Sequence, residues 1–437
     1  MTLTSRLLWG RFLTRSGDQA WDFAVPLTFL AILPGELRIA ALYYFLVRLA
    51  LVFFLPRLTR LIDEMDRYRV TKLGIFLQLA GVLIGFGAVL GLSLFGAREL
   101  LLGGIPAYAS FVVMVFGGVL ASLGSSFMDI AIANDLVPSS LNADQLGAFN
   151  SHLRQVDLAT EVGAPILAGL LLLVGDANSA LIGFSLIALW NTVSFIPEYL
   201  LLRSIYHDRP DLLSKPPKIE ESAKLNAFQK FALGWKQFAK EPVAMVVTAY
   251  SFLWLSVLSP HGVLLTAYLK DAWKLPEWEI GIFRGAGAIF GLAATVAFPV
   301  VIKKYGLVLG SGRFLFSQTA MVIAALLFFL MDSRVGQIGF LLFVLLSRIG
   351  LYGFSMGEMQ IRQLGIPPRV RGEVNGFAGS LTAIATLVLF GMGSALSETS
   401  DFKYLVLISV ASVVAAFIIY GIWTRQENHI QKIKEIS

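Results

Sequence analysis

Leu73-Gly74-Ile75-Phe76-Leu77-Gln78-Leu79-Ala80-Gly81-Val82-Leu83-Ile84-Gly85-Phe86-Gly87-Ala88-Val89-Leu90-Gly91-Leu92 contains one amide, Gln78, and no charged side chain. About 20 apolar residues in a helix cross the hydrocarbon core of a bilayer, and this run has that length. Runs of the same kind recur along the chain. Of its 437 residues, 56% are hydrophobic and 15% charged, with a mean hydropathy of +0.73, whereas a soluble protein carries roughly a quarter charged residues. This composition excludes a water-soluble enzyme. The apolar runs are continuous, which excludes an outer-membrane barrel built of alternating segments of about 10 residues.

There are no cysteines, so disulfides, thiolate catalysis and thiolate metal sites drop out together. The formal charge of +6 is modest, and its distribution tracks membrane orientation rather than nucleic acid. The basic N-terminus leads into a segment interrupted by Arg15, Asp18 and Asp22, unlike a signal peptide.

Apolar runs bounded by charge or Gly/Pro predict an all-α membrane protein of twelve helices, near 8–33, 37–62, 70–97, 105–136, 143–174, 177–203, 242–270, 277–303, 308–332, 335–363, 371–397 and 400–424. This gives a six-helix bundle over 1–203, a linker over 204–241, a second six-helix bundle over 242–424 and a tail over 425–437. The linker carries Pro210, Pro216, Pro217 and a Lys/Glu run, then an amphipathic pattern of Phe228, Phe231, Trp235 and Phe238 suited to the membrane surface. Most Lys and Arg fall in the loops on the side of both termini, among them Arg57, Arg60, Arg67, Arg69, Lys72, Lys303, Lys304, Arg369, Arg371, Lys432 and Lys434. That bias predicts cytoplasmic termini in a cell inner membrane.

Two six-helix halves joined by a cytoplasmic linker is the layout of the major facilitator superfamily, whose halves rock about a site near the bilayer midplane. The turn Arg60-Leu61-Ile62-Asp63-Glu64-Met65-Asp66-Arg67-Tyr68-Arg69 resembles its inter-helix signature, with Thr59 in place of the usual leading Gly. The corresponding turn of the second half, Lys303-Lys304-Tyr305-Gly306, keeps the positive charge and lacks the acid.

Ionisable groups at membrane depth cost a few kcal/mol and face a cavity or a partner. Asp18 and Asp22, at i and i+4, stack on one face of the first helix and repel unless a cation or a proton intervenes. The bland alternative is a pair solvated at a helix end. Asn191, Ser194 and Glu198 share a face of the sixth helix, and Gln78 is the isolated amide of the third. Asp18, Gln78, Asn191 and Glu198 together make an inventory of hard oxygen ligands suited to Ca²⁺; Gln78 alone would serve equally as an interhelical hydrogen bond. Thr14 and Ser194 are additional oxygen donors for a transported metal.

In the second half, Ser259-Pro260-His261-Gly262 puts a break in the middle of the seventh helix, which frees backbone carbonyls as transporter binding sites do. His152, His207 and His429 belong to the boundary, linker and tail, leaving His261 as the histidine at depth. Imidazole suits borderline transition metals and proton coupling, and also a plain hydrogen bond to a neighbouring helix.

These residues resemble the ferroportin family of iron exporters, as a bacterial member would. Gly17-Asp18-x-x-Trp21-x-Phe23-Ala24 is similar to the family's first-helix motif, and Asp63 to Val70 to its turn between the second and third helices. Asn150-x-x-x-Arg154-x-x-Asp157, Trp190-Asn191-x-Val193-Ser194-x-x-x-Glu198-Tyr199, Arg348-Ile349-Gly350-Leu351 and Arg371-Gly372-x-x-Asn375-Gly376 match later segments in order.

The resemblance implies efflux of Fe²⁺ and related divalent metals by alternating access, coupled to protons entering and assisted by Ca²⁺. It implies metal ligands at Asp18, Asp22 and His261, and a Ca²⁺ site at Asp18, Gln78, Asn191 and Glu198. It also implies an inner gate of Asp63, Arg67, Asp135, Arg154 and Asp157. The chain departs from the vertebrate pattern in having Asp22 where those members have His, and no Cys in the seventh helix. The eleventh-helix His position reads Leu389, and His261 is the nearest replacement. With no extended outer loop after Tyr268 and no hormone-binding Cys, control by the vertebrate peptide hormone is not expected.

The expectation is a monomeric exporter of a small ion in a lipid bilayer, with no nucleic-acid partner. A major facilitator exporter of amphipathic organic compounds is the alternative, given footing by the 33 Phe residues. A receptor or scaffold without transport is a third class. No Gly-x-x-x-x-Gly-Lys-Ser/Thr pattern occurs, so direct ATP-driven pumping is not expected.

Overall fold

A chain crossing lipid must satisfy its backbone N–H and C=O groups internally, and the apolar runs accordingly wind into helices. The computed structural model describes residues 1–32, 37–95, 104–173, 180–214, 226–331, 333–396 and 398–426, and every regular element among them is helical. In order these are α1 (Leu3–Ile32), α2 (Leu37–Glu64), α3 (Arg67–Phe95), α4 (Ile105–Asp129), α5 (Ala143–Leu172), α6 (Ala180–Asp208), α7 (Ala227–Phe238), α8 (Ala244–Leu253), α9 (Val263–Asp271), α10 (Glu277–Tyr305), α11 (Leu307–Phe329), α12 (Arg334–Gly365), α13 (Arg371–Ala395) and α14 (Phe402–Trp423). α4 continues through a π-helical segment, Ile130–Leu136, into a last turn, Val137–Ser140.

Among the described residues, nine stretches are long and apolar enough to span a membrane: Arg67–Ser93, Ile105–Ser140, Ala143–Leu172, Leu181–Asp208, Trp278–Tyr305, Leu307–Phe329, Arg334–Gly365, Arg371–Ala395 and Phe402–Trp423. α1 falls outside that set, and it carries Arg6, Arg11, Arg15, Asp18 and Asp22. The helix predicted over 242–270 is two helices, α8 and α9, because the chain leaves helical geometry from Trp254 to Gly262. The Lys/Glu run at 215–225 and the tail beyond Gln426 lie outside the described residues.

By internal contact the chain divides into two units. One comprises Met1–Ser140, Ala159–Lys224 and Pro368–Ser380, the other Leu141–Leu158, Leu225–Pro367 and Leu381–Ser437. The division is not contiguous in sequence: the first half of α5 belongs to the second unit and the first turns of α13 to the first.

In the first unit small residues let helices touch. A Cβ on Gly117 of α4 would lie 2.6 Å from the Gly85 nitrogen of α3, and one on Gly81 would strike the backbone of Ala121. Backbone approach of this kind replaces the hydrophobic drive that lipid cannot supply. Trp21 of α1 packs on Phe184 of α6 at 4.9 Å between ring centroids, and Phe86 stacks on the same ring at 6.2 Å.

In the second unit the break between α8 and α9 is held by side chains. The buried Arg348 of α12 donates from Nη2 to the Leu258 carbonyl at 2.6 Å, and the Val257 N–H donates to Ser409 Oγ of α14 at 2.9 Å. The predicted amphipathic segment is α7, opened by a capping box of Asn226 and Gln229. Its Trp235 meets Phe231 and Phe238 edge-on at 6.3 and 5.9 Å.

Candidate functional site

The donors expected for Ca²⁺ all lie in the first unit. Asp18 accepts a hydrogen bond from Ser125 Oγ of α4 at 2.8 Å, with Arg15, Asp22 and Asp129 near enough to act on its charge. Gly17 is the neighbour that matters: a Cβ there would lie 2.8 Å from Asn191 Oδ1 and 2.9 Å from Asn191 Cα, so its absence brings α6 onto α1 at this level. Gln78 is placed the same way, its Cγ 2.8 Å from the Cβ position of Gly124.

Asn191 and Glu198 are 1% and 3% exposed. Among the described residues, neither amide atom of Asn191 nor Oε2 of Glu198 has a hydrogen-bond partner. A buried polar atom left unpaired costs the desolvation of that group, about 1–3 kcal/mol and more for a charged one, and a bound cation would remove that cost for the two oxygens. Thr14 pairs with the Glu198 carboxyl, and its hydroxyl also donates to the Gly10 carbonyl at 2.7 Å. Ser194 Oγ is turned to the Asn191 carbonyl at 2.6 Å. Oxygen donors with orphaned buried atoms fit a hard cation such as Ca²⁺. Among the described residues no three Asp, Glu or His side chains form a ready-made metal cluster.

Asp22, four residues on, lies at the protein surface, and Arg48 and Arg15 act on its charge. The repulsion expected between Asp18 and Asp22 is therefore met in this structure by arginines. In the second unit His261 sits in the break ahead of α9, half-buried, its Nε2 3.5 Å from the Cβ position of Gly287 on α10.

The residues expected to form an inner gate fall into two groups. In the first unit Arg67 forms a two-pronged ion pair with Asp135, and donates to the Leu212 carbonyl at 2.7 Å and to Ser139 Oγ at 2.8 Å. Arg371 reaches the same Ser139 Oγ at 2.9 Å. Asp63 accepts the backbone N–H groups of Gly372 and Glu373, both at 2.8 Å, at the start of α13. Arg60 pairs with Glu373 at 2.5 Å. Arg154 and Asp157 belong to the second unit, where the Arg154 guanidinium lies 4.2 Å over the Tyr352 ring.

Sequence reasoning missed Ser125, Asp129, Arg11 and Arg48 around the first site, and Ser139 and Glu373 in the inner cluster. Ser125 and Asp129 sit at i and i+4 inside an apolar run, which was the available signal.

Spanning helices, polar groups buried at their depth and a broken helix define a multi-pass membrane transporter. Its fold is that of the major facilitator superfamily, since the chain superposes on the proton:xylose symporter XylE with a TM-score of 0.67 at 12% identity, over 95% of this chain and 94% of that one. The model of the family Ferroportin1 (FPN1) matches residues 2–413, and the chain belongs to the ferroportin family. It is 45% identical over 430 residues to the Ferreportin of Bdellovibrio bacteriovorus, covering 98% of this chain and 96% of that protein. It superposes with a TM-score of 0.88 on a bacterial homologue of the iron transporter ferroportin in its outward-facing state, at 45% identity over 98% of this chain and 100% of that one. A bacterial homologue of the iron transporter ferroportin in its outward-facing state with soaked iron gives 0.86 at 44% identity, over 97% of this chain and 100% of that one.

Proposed function

We propose that the protein exports divalent transition metal, Fe²⁺ in the first place, by alternating access coupled to inward proton movement and assisted by Ca²⁺. Asp18 and Asp22 in the N-terminal half and His261 in the C-terminal half each offer the metal a group that also binds protons, so the two cations compete. A divalent cation needs carboxylate oxygen to replace its hydration shell, and the other oxygen donors on offer are Thr14 and Ser194. Asp18, Gln78, Asn191 and Glu198 would hold Ca²⁺, which when bound supplies a fixed positive charge joining α1, α3 and α6. Asp63, Arg67, Asp135, Arg154 and Asp157 act as the inner gate, closing and opening as the halves over 1–203 and 242–424 alternate. The protein works as a monomer in the cell inner membrane with both termini in the cytoplasm.

The observation that supports this reading most is the pair of buried side chains, Asn191 and Glu198, each with an oxygen left without a partner among the described residues near Asp18, in a chain of the ferroportin family. The likeness to a homologue soaked with iron adds the metal. The test is flux in liposomes: Co²⁺ or Fe²⁺ movement with internal pH, with and without Ca²⁺, for wild type, Asp18→Ala and His261→Ala. Metal flux against protons, lost or sharply reduced in both variants, supports the exporter. Wild-type liposomes that move no metal under any of these conditions would remove it in favour of an organic substrate.

A further inference from the structure

α1 carries two arginines, Arg11 and Arg15, spaced four apart, followed by Asp18 and Asp22 with the same spacing. Together with Thr14 they recur at helical intervals and share one broad face. α4 answers with Ser125 and Asp129, again four apart. Ser125 Oγ holds Asp18 Oδ2 at 2.8 Å, and one turn further Asp129 Oδ1 is ion-paired with Arg11 Nη1. Glu198 of α6 lies within electrostatic reach of Arg11, Asp18 and Asp129.

We propose that Asp129 is a third carboxylate of the first-half cation site, and that Arg11 is a tethered stand-in cation, released from Asp129 when a divalent cation enters between Asp18, Asn191 and Glu198. The proposal rests on the cation-site reading given above and extends it to two residues outside the expected ligand set.

Three observations carry it. First, Asp18 and Glu198 alone give two carboxylates, and shells for Ca²⁺ draw on six to eight oxygens with acids prominent among them, so a further acid in reach is wanted. Second, neither member is enclosed by protein, with side-chain exposures of 20% for Arg11 and 37% for Asp129, so the guanidinium has room to swing off the carboxylate. Third, Asn191 and Glu198 are almost fully buried and keep orphaned atoms, and the Glu198 carboxyl feels the charges of both Arg11 and Asp129. A dication placed there repels the guanidinium and attracts the carboxylate, and both forces move Asp129 toward the cation. Without a cation, Arg11 offsets Asp129 and Glu198 while Arg15 offsets Asp18, which keeps three acids on α1, α4 and α6 from repelling one another. The empty carrier is thus neutralised by its own side chain, and the returning arginine competes with the bound ion and speeds its release.

The experiment is calorimetric titration of the purified full-length protein with Ca²⁺ as probe, with melting temperature recorded alongside to certify folding. The variants are Arg11→Gln, Arg11→Met, Asp129→Asn, the double variant Arg11→Gln/Asp129→Asn, and Asp18→Ala as the site control. Removing Arg11 is expected to tighten Ca²⁺ binding by about tenfold, and Asp129→Asn to weaken it by about as much, within the usual range of coupled sites. On the Asp129→Asn background the Arg11 change is expected to give no tightening. Arg11→Gln weakening Ca²⁺ as Asp129→Asn does would make the pair a structural brace and overturn the proposal. Unchanged affinity in Asp129→Asn overturns it alone, even if neither Arg11 variant folds. In both cases loss of binding in Asp18→Ala leaves the first-half cation site standing. Folded wild type that binds no Ca²⁺ removes that site and this inference together.

Discussion

Arg67 and Asp135 are joined by two charge-assisted hydrogen bonds, Nε to Oδ2 at 2.8 Å and Nη2 to Oδ1 at 3.2 Å, with both side chains almost withdrawn from solvent. A buried pair of this kind gives little net stability when intact, yet removing one partner leaves an uncompensated charge and costs about 3–5 kcal/mol. Asp135→Ala is expected to lower the melting temperature steeply, whereas Arg67→Met/Asp135→Leu regains much of the loss. Similar melting of the single and double variants would show the pair to be relaxed or hydrated.

Asp63 satisfies backbone donors at the head of α13 with a carboxylate from another helix. Capping plus the favourable charge at a helix N-terminus is worth about 1–2 kcal/mol. Asp63→Ala should lose that amount and Asp63→Asn, which keeps one acceptor, roughly half. Thermal unfolding in detergent gives the ordering, and equal losses would show that the acceptor count is irrelevant.

Gly17→Ala sets a methyl group against the Asn191 amide. Overpacking of this order costs about 1–3 kcal/mol, and here it also pushes α6 from α1 at the level of Asp18. The expected result is full helical content by circular dichroism with loss of the Ca²⁺-dependent rise in melting temperature. A retained rise would place the Ca²⁺ donors elsewhere.

Ca²⁺ should stabilise the wild-type protein by mass action, about 2.7 kcal/mol at a hundredfold excess over the dissociation constant, and a chelator should remove that increment. Glu198→Gln, which keeps the shape and deletes the charge, should abolish most of it. His261→Ala should leave it intact, because His261 and the Ca²⁺ donors belong to different units. A loss in His261→Ala would mean that the two sites are coupled.

Much of this was legible because apolar run length maps directly onto spanning helices: the run predicted over 143–174 is Ala143–Leu172, and that over 371–397 is Arg371–Ala395. α1 begins at Leu3 rather than at residue 8, and Arg6, in the added turn, finds a partner in Asp208. The break at Pro260 announced itself through the residue types. What anchors it did not: a guanidinium on a backbone carbonyl, Arg348 on Leu258, has no complementary side chain to find. The same holds for Asp63, whose acceptors meet N–H groups that every residue but proline carries. Pairings between helices, such as Arg11 with Asp129, depend on which helices are neighbours, and periodicity along one helix does not encode that.

The π segment Ile130–Leu136 lies between two ion pairs, with Asp129 just before it on Arg11 and Asp135 within it on Arg67. A uniform α-helix advances about 100° per residue, whereas the wider π winding advances less, so the two aspartates stand at a different angle from the one their spacing alone would set. The segment is a phase shifter, a torsional offset written into one helix. Deleting a single residue from it would shorten the helix by little, yet turn everything beyond by about a quarter of a revolution. Length would be forgiven there and angle would not, because each aspartate must face its own arginine.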